Sequence, residues 1–137
     1  MKSQLKFYDA ATRAPSDCGE PLEIEVASHD CGWDGVLLEK GWSPHFYPTN
    51  VATPYFYFAL ALEEDLRWAA QHGDELQALK TTPGEIWINP PDTPFTHRIH
   101  QPCFFTILAI EAQTFLDAHS TTLPVAQLQF LNNYNVE

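Results

Sequence analysis

EEDLRWAAQHGDELQALK, residues 63–80, is the stretch on which the fold turns. Its Ala, Glu, Leu, Gln and Lys residues favour a helix throughout, whereas Gly73-Asp74 at its centre has the composition of a two-residue hairpin turn. Read one way, the chain carries a long helix here; read the other way, it carries two strands joined at Gly73. Local propensity and turn chemistry disagree, and the segment by itself leaves both open.

Its neighbours on either side read as strands. YFYFALAL, residues 55–62, follows Pro54 and is an unbroken aromatic-rich apolar run, the pattern of a strand buried on both faces. PGEIWINPPDTPF, residues 83–95, holds a Pro-Gly turn, a strand over 85–89 and a Pro-Pro-Asp turn. CFFTILAI, residues 103–110, is another buried strand. Further out, Leu22, Ile24 and Val26 alternate with acids, and WDGVLLEK, residues 33–40, is an apolar run ended by Gly41 and Pro44. EAQTFLDAH, residues 111–119, predicts a short helix, and VAQLQFL, residues 125–131, a last strand. Residues 1–21 contain Pro15, Ser16, Asp17, Gly19 and Pro21 with few apolar anchors, and read as a flexible N-terminal arm or an irregular lead-in. Many short strands between Gly and Pro turns predict an all-β sandwich or barrel.

At 137 residues the chain has room for one domain, residues 22–137, behind that arm. Seven Lys and Arg against 18 Asp and Glu give a formal net charge of −11. A surface tracking phosphates would have to work against the protein's own field, so direct nucleic-acid contact is not expected. Cys18, Cys31 and Cys103 are odd in number and form no C-x-x-C pair, which disfavours a disulfide framework or a thiolate zinc site and predicts reduced thiols in the cytoplasm. No signal peptide is recognisable, and no apolar run nears the roughly 18 residues that span a bilayer, so no membrane contact is expected. There is no G-x-S-x-G, phosphate loop or dinucleotide fingerprint. The carboxylate pairs Glu63-Glu64 and Glu23 with Glu25 are solvated strand edges, and no residue is assigned a catalytic role.

Gly84, EIWIN, Pro90, Pro91, Asp92, Thr93, Pro94 and Phe95 together resemble the second motif of cupins: a glycine, five residues, a proline, then a turn leading to an inward-facing residue. GWDGVLLEK, residues 32–40, resembles the opening strand of the cupin-like sensor domain of AraC-type transcription regulators. LPVAQLQFLNNYNVE, residues 123–137, is similar to the segment leaving that barrel. The resemblance spans about residues 22–137. It implies a cupin-type double-stranded β-helix, a jelly-roll barrel with a short C-terminal helix, and it favours a hairpin near Gly73 over a helix.

Metal-binding cupins gather about three histidines and a carboxylate. At the second-motif ligand position this chain has Phe95, which cannot coordinate, and the nearest candidate for an H-x-H pair is His45-Phe46-Tyr47, where the following Glu does not fit. No metal or other cofactor is therefore expected. His97 lies two residues past Phe95, so both face one side of an extended chain while His100 faces the other. In sugar-binding members of the regulator family the matching positions line the pocket, which makes Phe95 and His97 site candidates. On strand 55–62, Phe56 and Phe58 are assigned inward, with Tyr55 and Tyr57 as the opposite parity; Phe105 and Ile107 are inward candidates on the next long strand. His45 and Tyr47, flanked by prolines, are candidates at the barrel mouth, and His100, His72 and His119 read as solvated. Ordinary core packing is the competing role for each ring.

The resemblance thus implies a non-catalytic domain that binds a small organic effector and pairs as a homodimer. It touches DNA only through a helix-turn-helix module that these residues do not supply. The alternative is a small cupin enzyme of isomerase or dioxygenase type, with a rearranged metal site on His45, His97 and His100.

Overall fold

The computed structural model describes residues 1–118. The strands are β1 (Tyr8–Asp9), β2 (Glu23–Ala27), β3 (Val36–Ser43), β4 (Val51–Ala52), β5 (Tyr55–Ala61), β6 (Leu66–His72), β7 (Glu75–Thr81), β8 (Ile86–Asn89), β9 (His97–Arg98) and β10 (Cys103–Glu111), followed by helix α1 (Ala112–Ala118). The segment 63–80 is a hairpin. His72 pairs with Glu75 around Gly73-Asp74, and of the two turn residues only Gly73 has positive φ, at 62°. Positive φ at the first central position is the mark of a type II′ turn, whose twist matches that of the strands it joins.

A series of pairings is nested about that turn. Leu60 pairs with Ile86 and Tyr57 with Asn89 across β5 and β8. Further out, Val51 bridges Phe95 and Phe46 bridges Ile99. Outermost, Ser43 pairs with Cys103 and Val36 with Ile110 across β3 and β10. Gly73 is equidistant from Tyr57 and Asn89, from Val51 and Phe95, and from Ser43 and Cys103. The chain is one long antiparallel ribbon folded at Gly73 and wound on itself. The winding deposits strands alternately in a five-stranded sheet, β2-β3-β10-β5-β8, and a three-stranded sheet, β7-β6-β9, with β1 and β4 as a small separate pair. This is a double-stranded β-helix, the jelly-roll architecture.

The core fills the space between the sheets with Ile24, Phe46, Tyr57, Phe95, Phe105, Ile107 and Ala109. One terminator read from the sequence behaves otherwise. Gly41 lies inside β3, because the backbone of β2 crosses so near that a Cβ there would be 2.1 Å from the Glu23 carbonyl oxygen. The alternation in β2 is also broken: the pairing steps from Ile24–Gly41 to Val26–Lys40, a bulge at Glu25 that turns Val26 out to solvent.

The N-terminal segment is better anchored than its composition implies. Leu5 and Phe7 are buried in the core, Tyr8 and Asp9 pair with Ala52 and Val51, and the Tyr8 hydroxyl donates to Asp92. Two apolar residues at strand spacing among polar ones suffice to dock a chain, and so short an alternation is easily missed. The helix expected over 111–119 is observed as α1; the strand expected over 125–131, the segment 123–137 and His119 lie outside the described residues.

Candidate functional site

A cavity of about 90 Å³ lies between the sheets. On β5 the inward residues are Tyr57, Ala59 and Ala61, registered beside Phe105 and Ile107 of β10 on the same face. Leu66 and Trp68 of β6, Trp87 of β8 and His97 of β9 complete much of the wall. The expected parity of β5 is therefore corrected. Phe56 faces the opposite way, its ring 4.3 Å from that of Phe115 on α1, and Phe58 is absent from the wall and only half-buried. Both parities of YFYF are aromatic, so the outward rings pack too, and the sequence offers no polar face to break the tie.

His97, Phe105 and Ile107 line the cavity. Phe95 is buried on the same side of its strand as His97 but backs the cavity wall: its ring lies 4.9 Å from His97, 5.3 Å from Trp87 and 6.3 Å from Tyr57. His97 is enclosed by Trp68 at 4.6 Å and Trp87 at 4.5 Å, both edge-on. Burial, followed by the neighbouring Arg98 guanidinium, pushes its imidazole down to about 3, so it is neutral at pH 7. Burial likewise raises the Tyr57 hydroxyl above the usual phenol range.

The polar groups of the wall divide into two sets. Ser43 donates to the His45 carbonyl; Trp68 Nε1–H donates to Thr81 Oγ1 at 2.9 Å; the Cys103 thiol points at the Phe104 carbonyl at 3.4 Å. The His97 ring nitrogens, the Tyr57 hydroxyl and the Trp87 Nε1–H have no hydrogen-bond partner among the described residues. None of these atoms is fully sealed, and Tyr57, Trp87 and His97 all line the cavity.

His45 and Tyr47 lie elsewhere. Their rings stack at 4.6 Å, and the Tyr47 hydroxyl shares a 3.1 Å hydrogen bond with His100 Nδ1 on the surface. With Asp9, Asp17 and Glu20 they border an outer groove, not the cavity. His45 and His100 thus flank Tyr47 while His97 stands between the sheets beside Trp68, Trp87 and Phe95. The three histidines proposed for a rearranged metal site are not brought together, and the donor set does not fit a metal. Among the described residues no group of three or more His, Cys, Asp or Glu is placed to hold an ion.

Sequence reading held Tyr57 only as the opposite parity of its strand and missed Trp68 and Trp87 as wall residues. Trp68 could not be given a face while helix and hairpin were both open for 63–80. It also missed Glu39, which is fully buried on the inward face of β3 opposite Ile107. Ser3 Oγ donates to one Glu39 oxygen at 2.6 Å and the Gln4 backbone N–H to the other at 2.7 Å. Its only signal is an acid at the parity of Leu37 and Gly41 inside an apolar strand.

No helix among the described residues is long and apolar enough to cross a membrane. No family model matches the chain, and no curated protein matches it. Among solved structures it is similar to a cupin domain from Bordetella pertussis, at 10% identity and a TM-score of 0.48 over 66% of this chain and 92% of that one. It is similar to the oxalate decarboxylase of Lactobacillus farciminis, at 15% identity and a TM-score of 0.48 over 95% of this chain and 42% of that one. A vicilin from Solanum melongena matches at 11% identity and a TM-score of 0.44 over 60% of this chain and 23% of that one. The chain thus spans less than half the length of the decarboxylase and about a quarter of the vicilin. By the nested pairing of its own strands about Gly73, the fold is a double-stranded β-helix of the cupin type.

Proposed function

We propose that the chain is the effector-binding barrel of an AraC-type transcription regulator, holding a small organic molecule in the cavity between its sheets and carrying out no reaction on it. The observation that carries this reading is His97: a buried, neutral imidazole on the wall of an apolar cavity, with neither ring nitrogen taken by a described protein group. A side chain so placed can recognise a ligand. An enzyme with its metal on His45, His97 and His100 would need those three side chains in one place, and two of them are on the outer surface.

In this reading the effector acts by shifting populations. It favours one seating of residues 1–21, which contact the barrel through Leu5, Phe7 and the two hydrogen bonds to Glu39, and that seating alters homodimer geometry or the docking of a DNA-binding module outside residues 1–137. DNA is then contacted by that module in the cytoplasm, in keeping with the −11 charge of this chain. Thermal-shift screening against sugars, small aromatics and amino-acid-like compounds tests the binding step. A ligand at a hundred times its Kd adds about 2.7 kcal/mol of stability. No shift across the whole set overturns the reading.

A further inference from the structure

The cavity wall contains no Asp, Glu, Lys or Arg. A carboxylate or an ammonium entering it would lose its hydration and meet no opposite charge, a cost that buried ions escape only when paired. The neutral state of His97 removes the one group that could have supplied a cation. Of the other polar groups, Ser43 and Cys103 donate within the protein, Thr81 Oγ1 accepts from Trp68, and the Trp87 indole N–H is a donor only. A sugar, with several hydroxyls, would leave most of them against carbon, and each unsatisfied buried hydroxyl costs about 1–3 kcal/mol.

What remains is one concentrated polar spot. The rings of Tyr57 and Trp87 lie 5.7 Å apart and those of Trp87 and His97 4.5 Å apart, so the unpartnered phenol and imidazole flank the same indole. Between them they offer a hydroxyl that can donate or accept and a ring with one donor and one acceptor nitrogen. The neighbouring wall residues Ala59, Leu66, Phe105 and Ile107 offer only carbon.

We infer that the ligand is a small uncharged molecule with an apolar body and a single hydroxyl, a simple phenol or short-chain alcohol, whose hydroxyl is held by His97 and Tyr57. This rests on the reading of the cavity as a ligand site. Isothermal titration calorimetry with phenol, benzene, benzoate and glucose on the whole chain tests it, alongside Tyr57→Phe and His97→Phe. Phenol should bind at least tenfold more tightly than benzene, with benzoate and glucose giving no heat. Each variant should weaken phenol about tenfold and leave benzene unchanged. If benzene and phenol bind alike, or benzoate or glucose binds more tightly than phenol, the hydroxyl assignment falls while the cavity remains a ligand site. If none of the four binds, the hydroxyl assignment falls, and the ligand-site reading stands or falls separately by the broader thermal-shift set. Should His97→Phe fail to fold by near-ultraviolet circular dichroism, Tyr57→Phe and the wild-type series decide the matter.

Discussion

The carbonyl oxygen of Glu23 lies over Gly41 so closely that a Cβ at that position would sit 2.1 Å from it. Both partners are backbone, so neither can swing aside. Gly41→Ala should therefore push β2 off β3 and cost about 2–4 kcal/mol, within the range of severe point substitutions. Chemical denaturation reads the loss; a variant within 0.5 kcal/mol of wild type would show that the two strands slide apart freely.

Gly73 provides the contrast, because nothing lies within 4 Å of a Cβ built there. Its constraint is the backbone, with φ at +62°. Gly73→Val should cost about 1–2 kcal/mol and Gly73→Asn well under 1 kcal/mol, because Asn tolerates the left-handed region and a β-branched residue does not. Equal melting temperatures for the two variants would contradict the turn geometry.

His97 makes stability depend on acid. Its folded-state value of about 3 lies below the ordinary 6.5, so below pH 6.5 the unfolded chain takes up a proton that the folded chain refuses. The contribution is complete above pH 6.5 and is lost progressively as pH falls toward 3. Between pH 7.5 and pH 5 the wild type should lose about 2 kcal/mol, or on the order of 6 °C, relative to His97→Phe. Melting curves at the two pH values, compared between the two proteins, measure this; parallel shifts would mean the imidazole is free to charge.

Glu39 holds down residues 3 and 4 with two short hydrogen bonds from inside the barrel. Glu39→Ala should speed amide exchange of residues 3–8 at least tenfold and cost about 2–3 kcal/mol, with Glu39→Gln, which keeps one acceptor oxygen, between it and wild type. Unchanged exchange would mean that Leu5 and Phe7 seat the segment unaided.

The thiols should separate by reactivity. Cys31 is exposed, whereas burial pushes Cys18 up to about 11 and also raises Cys103. An aromatic disulfide reagent at pH 8 should titrate one thiol quickly in the native protein and the other two only after unfolding, and Cys31→Ser should remove the fast phase.

The strand inventory was largely legible because Gly73-Asp74, Pro83-Gly84 and Pro90-Pro91-Asp92 punctuate it with turn chemistry. What stayed hidden required knowing which backbone lies next to which. Gly41 looks like a terminator until β2 is seen crossing it, and Val26 looks buried until the bulge at Glu25 turns it out. In the site, His97, Phe105 and Ile107 could be placed by period-two counting from a turn or across an apolar strand. Phe56 and Phe58 could not be told from Tyr55 and Tyr57, because aromatic residues occupy both faces. His45 and Tyr47 were drawn to the mouth by their flanking prolines, but their stacking with each other and the contact with His100 hold them on the outside.

A ribbon folded at one point also has a cheapest order of assembly. Joining Ser43 to Cys103 directly would close a loop of 60 residues, whereas zipping outward from Gly73 pays that chain entropy in small instalments, each new pair extending a stretch already formed. On this route β3 is the last strand to be laid down against β10, whose Phe105 and Ile107 form one side of the cavity. The interior therefore stays wet until the ribbon's two ends meet, and the final step of folding is the drying of the chamber.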